Sequence, residues 1–483
     1  MSTLRWSTGV YASAVLVDRL LGLFLLPLLT RSISPADYGA WTQTAITASM
    51  LMPIVLFGFS TTIVRYFSTA AVTAMRRRYF WRLGMLALAL FVVCGVCVTA
   101  FPGPVSHAIF GDSAKQILLP SLLMLLAADA TADYACAWLR ASGRIGLVAA
   151  TLIARSFTRY GVVLALVGQA PPSMAVWFAQ YAGTQLIVSF LVFCLAAAVV
   201  TRQKQVSAET SDSPDLNELL RFSAPLVLLA LLTWMGGSFD RFLLLHSLDL
   251  ESVAFYAAAV SLCAIPAVIH SVLGFTLFPV LSEHWQAGRL AEICKLMSLA
   301  VRVFLFLTVP MALLLAIAGP RLLSLFATVE YRAEAPVFAL LAVSVAAFGV
   351  YQILLYALLL EGRSKQVLGL AGLAVAVNLA LNLALIPGLG LVGAATAAAT
   401  SNIVMVCLAV RLARAALPWS FPWQESLRIL ANAVAASLPL LLLMAYGSGS
   451  LAASALGSAL SLSIYLGLDW SRSASIARLL ARP

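Results

Sequence analysis

Runs of about 20 apolar residues, the length that crosses a bilayer as a helix, recur along this chain with only short polar breaks between them. The first contains VLVDRLLGLFLLPLLT (Val15–Thr30) and starts a few residues from Met1. It is longer than a signal-peptide core, carries an Asp-Arg pair and is followed by further spans, so it is expected to remain as a helix. The residue-by-residue alternation of a membrane barrel is missing. Only 10% of the 483 residues are charged, against about 25% in soluble domains. Lipid must therefore be the solvent for much of the surface, and the expected fold class is an all-α polytopic membrane protein.

Several chemistries are excluded early. The seven Cys lie in or beside apolar runs, where they act as small hydrophobes rather than metal or disulfide partners. The four His are scattered, so neither a metal site nor a cofactor is expected. Phosphate loop, HExxH and GxSxG motifs are absent. The longest polar stretch, TRQKQVSAETSDSPDLNELLR (Thr201–Arg221), is too short to fold as a catalytic domain. A transporter is expected, not an enzyme.

Fourteen spans are read, starting near residues 9, 40, 83, 118, 147, 176, 223, 254, 297, 335, 366, 392, 428 and 450. With the N-terminus inside, 22 Lys and Arg fall on inner segments, 4 on outer segments (Arg31, Lys115, Arg321, Arg332) and 4 within spans, which accounts for all 30. This bias places both termini in the cytoplasm. The net charge of +11 is thus a topology signal. Spread over many short loops, it does not form the single patch that nucleic acid requires.

The chain also repeats itself. DRLLGLFLL (Asp18–Leu26) returns as DRFLLLHSL (Asp240–Leu248), and a Gly-Arg dipeptide follows each, 125 and 122 positions later, at Gly143-Arg144 and Gly362-Arg363. An acidic residue and then a Tyr precede the next span in both copies: SISPADYGAW and DLESVAFYAAAV. Six spans per copy is an even number, so the halves form a parallel repeat about an axis along the membrane normal, which suits alternating access. The expected divisions are a six-helix lobe over 1–212, a second over 213–420, and two additional helices with a tail over 421–483. SPDLNELLRFSAPLV (Ser213–Val227) is expected to be a short amphipathic helix capped by Asp215 and broken at Pro225.

Charges inside the spans mark the candidate site, since each costs roughly 2.5–3.5 kcal/mol at mid-bilayer on insertion scales. Asp129 and Asp133 share one face of span four, and Arg155 and Arg159 share one face of span five. If the hairpin between them turns on Arg144, Asp133 faces Arg155 and Asp129 faces Arg159. A structural clamp and a cavity wall that holds an anion are both open readings of this face. In Asp18-Arg19 and Asp240-Arg241 the two side chains point about 100° apart, so one member of each pair is expected to face a cavity and the other a neighbouring helix. Gly22 and Pro27 in the first helix, and Gly236-Gly237 in the second, offer places to bend. Asn378 and Asn382 share a face of span eleven, as helix-to-helix amide bonds or as ligand groups. IPGLGLVG, after them, reads as a tight outer turn.

These residues resemble a known family. LLTRSISPADYGAW, LLRFSAPLV, DRFLLLHSLDLESVAFYAAAV and EGRSKQVLGLAGLAVAVNLALNLALIPGLGLVGAATAAATSN are together similar to the polysaccharide transporter family. That family belongs to the multidrug/oligosaccharidyl-lipid/polysaccharide flippase superfamily. The resemblance implies a fourteen-helix transporter of a bacterial inner membrane that flips undecaprenyl-pyrophosphate-linked oligosaccharide for O-antigen, lipopolysaccharide or exopolysaccharide assembly. A polysaccharide polymerase or co-polymerase is a candidate partner. It also implies that cavity Arg residues bind substrate: Arg19, Arg155, Arg159 and Arg241, with Asp18 and Asp240 as partners. The spacing of Asp129, Asp133, Asn378 and Asn382 adds these as expected cavity partners. The planar fork of Arg suits pyrophosphate oxygens. The alternatives are a cation-coupled multidrug exporter of the same superfamily and a membrane-embedded O-antigen ligase or polymerase. The balanced set of four Asp and four Arg within the spans disfavours the first, and the short outer loops disfavour the second.

Overall fold

A computed structural model describes residues 2–68, 73–167, 173–202, 215–328, 330–331, 334–446 and 451–468. The expected lobe boundary at 212/213, the residues Lys204, Arg332, Arg472, Arg478 and Arg482, and the C-terminal tail lie outside that set. Among the described residues the chain is all-α, and it divides into two compact units, Met1–Ala254 and Phe255–Pro483.

The first unit holds α1 (Ser2–Thr30), α2 (Pro35–Leu56), α3 (Phe59–Phe67), α4 (Thr73–Ala100), α5 (Pro102–Phe110), α6 (Leu119–Ala141), α7 (Ile145–Val167), α8 (Met174–Arg202), α9 (Leu216–Ser247) and the start of α10 (Leu250–Cys263). The motif SISPADYGAW builds the start of α2. Ser34 accepts a hydrogen bond from the Asp37 amide at 3.2 Å and Pro35 opens the helix, two helix-start devices at once. Phe57 (φ 48°) and Gly58 (φ 70°) then bend the chain by 45° into α3. A β-carbon on Gly58 would stand 2.9 Å from the Ser223 carbonyl of α9, so this bend is also a close helix contact. α6 is the centre of the unit and packs on α2, α3, α7 and α8, while α1 lies along α7.

The second unit holds the rest of α10 with α11 (Ala267–Gln286), α12 (Leu290–Phe326), α13 (Ala335–Leu360), α14 (Ser364–Ala416), α15 (Trp423–Tyr446) and α16 (Leu451–Leu468). Lipid chains are as apolar as Leu, so helices here associate through close packing. Added β-carbons on Gly319 and Gly349 would stand 2.4 Å and 2.0 Å from the rings of Phe338 and Phe304, which brings α12 and α13 together. The expected turn in IPGLGLVG is present. α14 is two helices joined at Gly390 (φ 54°, ψ −128°), and Gly393 lets the second helix approach Leu385. Tyr465 of α16 donates to the Phe306 carbonyl of α12 at 3.0 Å, which ties the C-terminal helix pair to this unit.

The Gly-Arg dipeptides have a common backbone. Gly143 and Gly362 each sit at φ 71° just beyond a helix. The Arg144 amide bonds back to the Leu139 carbonyl and that of Arg363 to Leu358, both at 2.9 Å. This is the glycine-terminated helix end in which a left-handed residue satisfies the last carbonyls. Gly288-Arg289 forms the same turn, with φ 69° and an Arg289-to-His284 bond of 2.9 Å.

Ten helices are long and apolar enough to cross a membrane, or eleven with α2 and α3 counted as one bent span, among the described residues. This is a multi-pass membrane protein. One local expectation is corrected. LNELLRFSAPLV is no separate amphipathic helix, because α9 runs unbroken from Leu216 to Ser247 through Pro225. Asp215 stands at the cap position, but its side chain makes no cap hydrogen bond. A spanning helix tolerates Pro because neighbouring groups satisfy the freed carbonyl. Gly22, Pro27 and Gly236-Gly237 likewise lie inside unbroken helices.

Candidate functional site

Because α1 lies along α7, Asp18 meets the basic face of α7. Its carboxylate accepts from Arg159 at 2.8 Å and from the Ser156 hydroxyl. One turn earlier on α7, Arg155 is bonded to Asp129 of α6. One turn beyond Asp129 on α6, Asp133 accepts from the Ser60 hydroxyl of α3 and faces Arg140 at 3.5 Å. The six charges thus form a ladder across α1, α7 and α6, with a serine at two of its rungs.

The rungs differ from the expected ones. Asp129, not Asp133, pairs with Arg155, and Asp18 takes Arg159. The cause is the position of the hairpin turn. α6 ends at Ala141 and α7 begins at Ile145, so the turn centres between them and not on Arg144. Moving the centre from Arg144 to Gly143 brings Arg155 level with position 131, about half a turn from both Asp129 and Asp133. Asp133 is already engaged by Ser60 and Arg140, which leaves Asp129 for Arg155.

The two Asp-Arg neighbour pairs are built differently. In the first, Asp18 joins α7 and Arg19 is exposed, with no ion pair to Arg19 among the described residues. Asp18 is thus the member that meets a neighbouring helix. In the second, both members are buried. Arg241 turns back to Asp240 at 3.3 Å and to the Gly237 carbonyl at 2.8 Å. A long guanidinium can bridge the 100° between neighbours, and the absence of a side chain on Gly237 leaves its carbonyl open to it. Gln43 of α2 donates to the Arg241 carbonyl at 3.3 Å, and Trp234 donates to Ile46 at 3.0 Å, so this stretch of α9 is docked on α2. Asn378 and Asn382 belong to the second unit. Asn382 donates to the carbonyl and side chain of Asn378, both at 2.9 Å, and Asn378 donates to Ser401 at 3.3 Å. They staple the two arms of α14 together.

The sequence reading missed Ser60, Ser156 and Arg140. Small hydroxyls within an apolar span are the available signal for the first two, since they can satisfy a carboxylate that has no room for a second cation. It also missed the aromatic wall beside the ladder. Trp41 stands edge-on to Trp177, Phe178 and Tyr181, with centroids 4.3–5.3 Å apart, and Tyr181 is within electrostatic reach of Asp18, Asp129, Arg155 and Arg159.

Chemically, the ladder is half satisfied. Asp129 is 35% exposed, Asp133 33%, Arg159 34% and Asp18 27%. Charges open to this degree in a spanning helix are costly to leave in lipid. Each of Arg155 and Arg159 spends an Nη on a carboxylate, and their buried Nε groups have no partner among the described residues. Guanidinium donors are therefore left over beside carboxylates that can be displaced. Among the described residues, no group of His, Cys, Asp and Glu could hold a metal.

The described residues thus form a polytopic helical bundle that carries an ion-pair ladder within its candidate spans. The structure is similar to "Lipid II flippase MurJ, inward closed conformation", with a TM-score of 0.74 at 14% identity over 98% of this chain and 99% of that one. It is also similar to the MATE multidrug transporter DinF-BH, with a TM-score of 0.60 at 17% identity over 85% of this chain and 95% of that one. An inward-facing multidrug resistance MATE family transporter of the MOP superfamily has a TM-score of 0.59 at 14% identity, over 82% and 94% of the chains. At these identities the likeness is one of fold. No curated protein sequence matches. Residues 4–285 match the family model "Polysaccharide biosynthesis protein", and the chain belongs to that family.

Proposed function

We propose that this protein is a flippase for oligosaccharide linked to undecaprenyl pyrophosphate, working by alternating access in a bacterial inner membrane for polysaccharide assembly. The single observation that carries the reading is the ladder on α1, α6 and α7. Arg155 and Arg159 are held by Asp129 and Asp18 with guanidinium donors to spare. A pyrophosphate brings the oxygens needed to replace those carboxylates, and bidentate pairing with Arg is its preferred recognition. Asp18, once released, keeps the hydrogen bond from the Ser156 hydroxyl. Arg19, uncovered on α1, is the further cation that first meets the anion, and Arg241 supports the α9 side.

Helix bookkeeping favours fourteen spans. The bent pair α2–α3, the pair α10–α11, and α14 divided at Gly390 give two, eight, eleven and twelve, and the other long helices supply the rest. The separations of 125 and 122 positions from the Asp-Arg pairs to the Gly-Arg turns support duplicated lobes over 1–212 and 213–420, with 421–483 as two added helices and a tail. Both termini would be cytoplasmic, with a polysaccharide polymerase or co-polymerase receiving the product.

The test is translocation in proteoliposomes that carry labelled undecaprenyl-pyrophosphate oligosaccharide, read by a glycan-cleaving enzyme added outside. The wild-type chain should expose the glycan in both leaflets, and Arg159→Ala at equal protein content should not. Equal glycan exposure with and without the protein overturns the function.

A further inference from the structure

Phe80, Trp81, Gly84, Met85 and Leu88 of α4 line a cavity of about 360 Å³ closed by α2, α6 and α8, with Tyr134 at its wall. That volume is within the range of small-molecule sites. Its lining is almost wholly apolar, and it is open at the side. Trp81 (49% exposed), Met85 (68%) and Leu88 (58%) form its lip, and the exposed apolar row continues along α4 through Val92 and Val96. None of the ladder charges borders it.

The head of this groove is cationic. Arg77 precedes Trp81 by four positions and Gly84 by seven, and Arg78 precedes Met85 by seven, so both Arg residues stand on the lining face of α4 one to two turns above it. Both are exposed, with no ion pair among the described residues. Their neighbour Arg76 is different, since it is buried and donates to the Phe67 carbonyl at 2.8 Å. An aromatic residue below two free guanidinium groups, above an apolar furrow, marks the level where headgroups give way to chains.

We propose that this furrow is a binding site for an anionic phospholipid, separate from the transport ladder. Arg77 and Arg78 hold the phosphate, Trp81 lies at the glycerol level, and one acyl chain enters the cavity between α4, α6 and α8. Charge complementarity selects the occupant: a zwitterionic lipid gains little from two unpaired cations, whereas each Arg near the surface favours an anionic headgroup by about fivefold.

The test is native mass spectrometry of the full chain released from detergent with equal phosphatidylglycerol or phosphatidylcholine, together with photocrosslinking by a phosphatidylglycerol bearing a diazirine in its chain. Phosphatidylglycerol adducts should exceed phosphatidylcholine adducts by roughly 25-fold, which is about fivefold for each of two Arg. Crosslinks should concentrate on the lining of α4, α6 and α8. The double variant Arg77→Gln with Arg78→Gln should lose the preference. Ala127→Phe, which fills the cavity, should lose the crosslinks, and Leu88→Trp at the mouth should do the same without altering the interior. Equal adducts for the two lipids, or crosslinks spread evenly over the outer helices, overturn the proposal. So do crosslinks that persist in both filling variants while these elute as folded protein.

Discussion

Asp18 of α1 holds Arg159 of α7 at 2.8 Å and leaves its own neighbour Arg19 uncovered. The pair joins two helices 141 positions apart in the chain and is shared with the Ser156 hydroxyl. Both side chains are about one-third open, so the pair falls between an exposed one, worth about 0–1 kcal/mol, and a buried one, whose breakage costs about 3–5 kcal/mol. Asp18→Ala is expected to destabilise by about 1–3 kcal/mol, because Arg159 is left as an unpaired charge within a span. The double variant Asp18→Ala with Arg159→Ala should recover most of that loss while remaining inactive. Thermal unfolding in detergent, followed by size exclusion, measures the first, and glycan translocation the second. A double variant no more stable than Asp18→Ala would show that the unpaired Arg159 charge is not the source of the loss.

Arg155 separates clamp from ligand. Exchanging the charges, as Asp129→Arg with Arg155→Asp, preserves an ion pair between α6 and α7 but moves the cation to the other helix. Normal membrane levels and lost glycan export are expected. Full export by the exchanged protein would make the pair purely structural. The same exchange at Asp133 and Arg155 should fail even in folding, because Asp133 is already committed to Ser60 and Arg140.

Arg155→Ala and Arg159→Ala should each abolish polymer output in cells that depend on this transporter, with protein still in the membrane fraction. Arg241→Ala should instead reduce the amount of folded protein. Arg241 is buried, spans from Asp240 to Gly237, and lies where α9 docks on α2. Immunoblots of membranes alongside polymer measurements distinguish the two classes. Equal loss of protein in all three variants would remove the distinction.

How much of this was legible in the chain depends on the range of each interaction. The Gly-Arg dipeptides are legible as a repeat, and their common turn has a local cause, since a left-handed residue after a helix is a demand that Gly meets. The approach of Arg155 to an acidic face of α6 followed from helical spacing and a short hairpin. The partner differs by one turn because the hairpin centres on Gly143, which leaves Arg155 between Asp129 and Asp133, and because Asp133 is taken by Ser60 and Arg140, contacts that spacing does not show. Asp18–Arg159 was not readable, since no local rule says that α1 lies along α7. The collapse of Asp240 and Arg241 onto one another depends on contacts of α9 with α2 that begin at Gln43 and Trp234. Long-range packing therefore carries the part of the site that spacing could not show.

Gly143 and Gly362 offer a test that isolates backbone from packing. A β-carbon at either position meets nothing within 4 Å, yet both residues sit at φ 71°. Substitution with Ala should therefore cost only the left-handed penalty, about 1–2 kcal/mol, and the same amount at both sites. Gly39→Ala is the contrast. Its φ is ordinary, but a β-carbon there would stand 2.1 Å from the backbone oxygen of Leu250, where α10 begins. A backbone oxygen cannot swing aside as a side-chain tip can, so α2 and α10 must move apart. The expected loss is at the upper end of overpacking costs, about 3 kcal/mol. Thermal midpoints of the three variants in one detergent check the ordering: two equal, modest decreases for Gly143→Ala and Gly362→Ala, and a larger one for Gly39→Ala. A Gly39→Ala protein as stable as the wild type would mean that α2 and Leu250 do not approach this closely. Unequal effects at the two Gly-Arg turns would mean that their shared geometry does not reflect a shared energetic role.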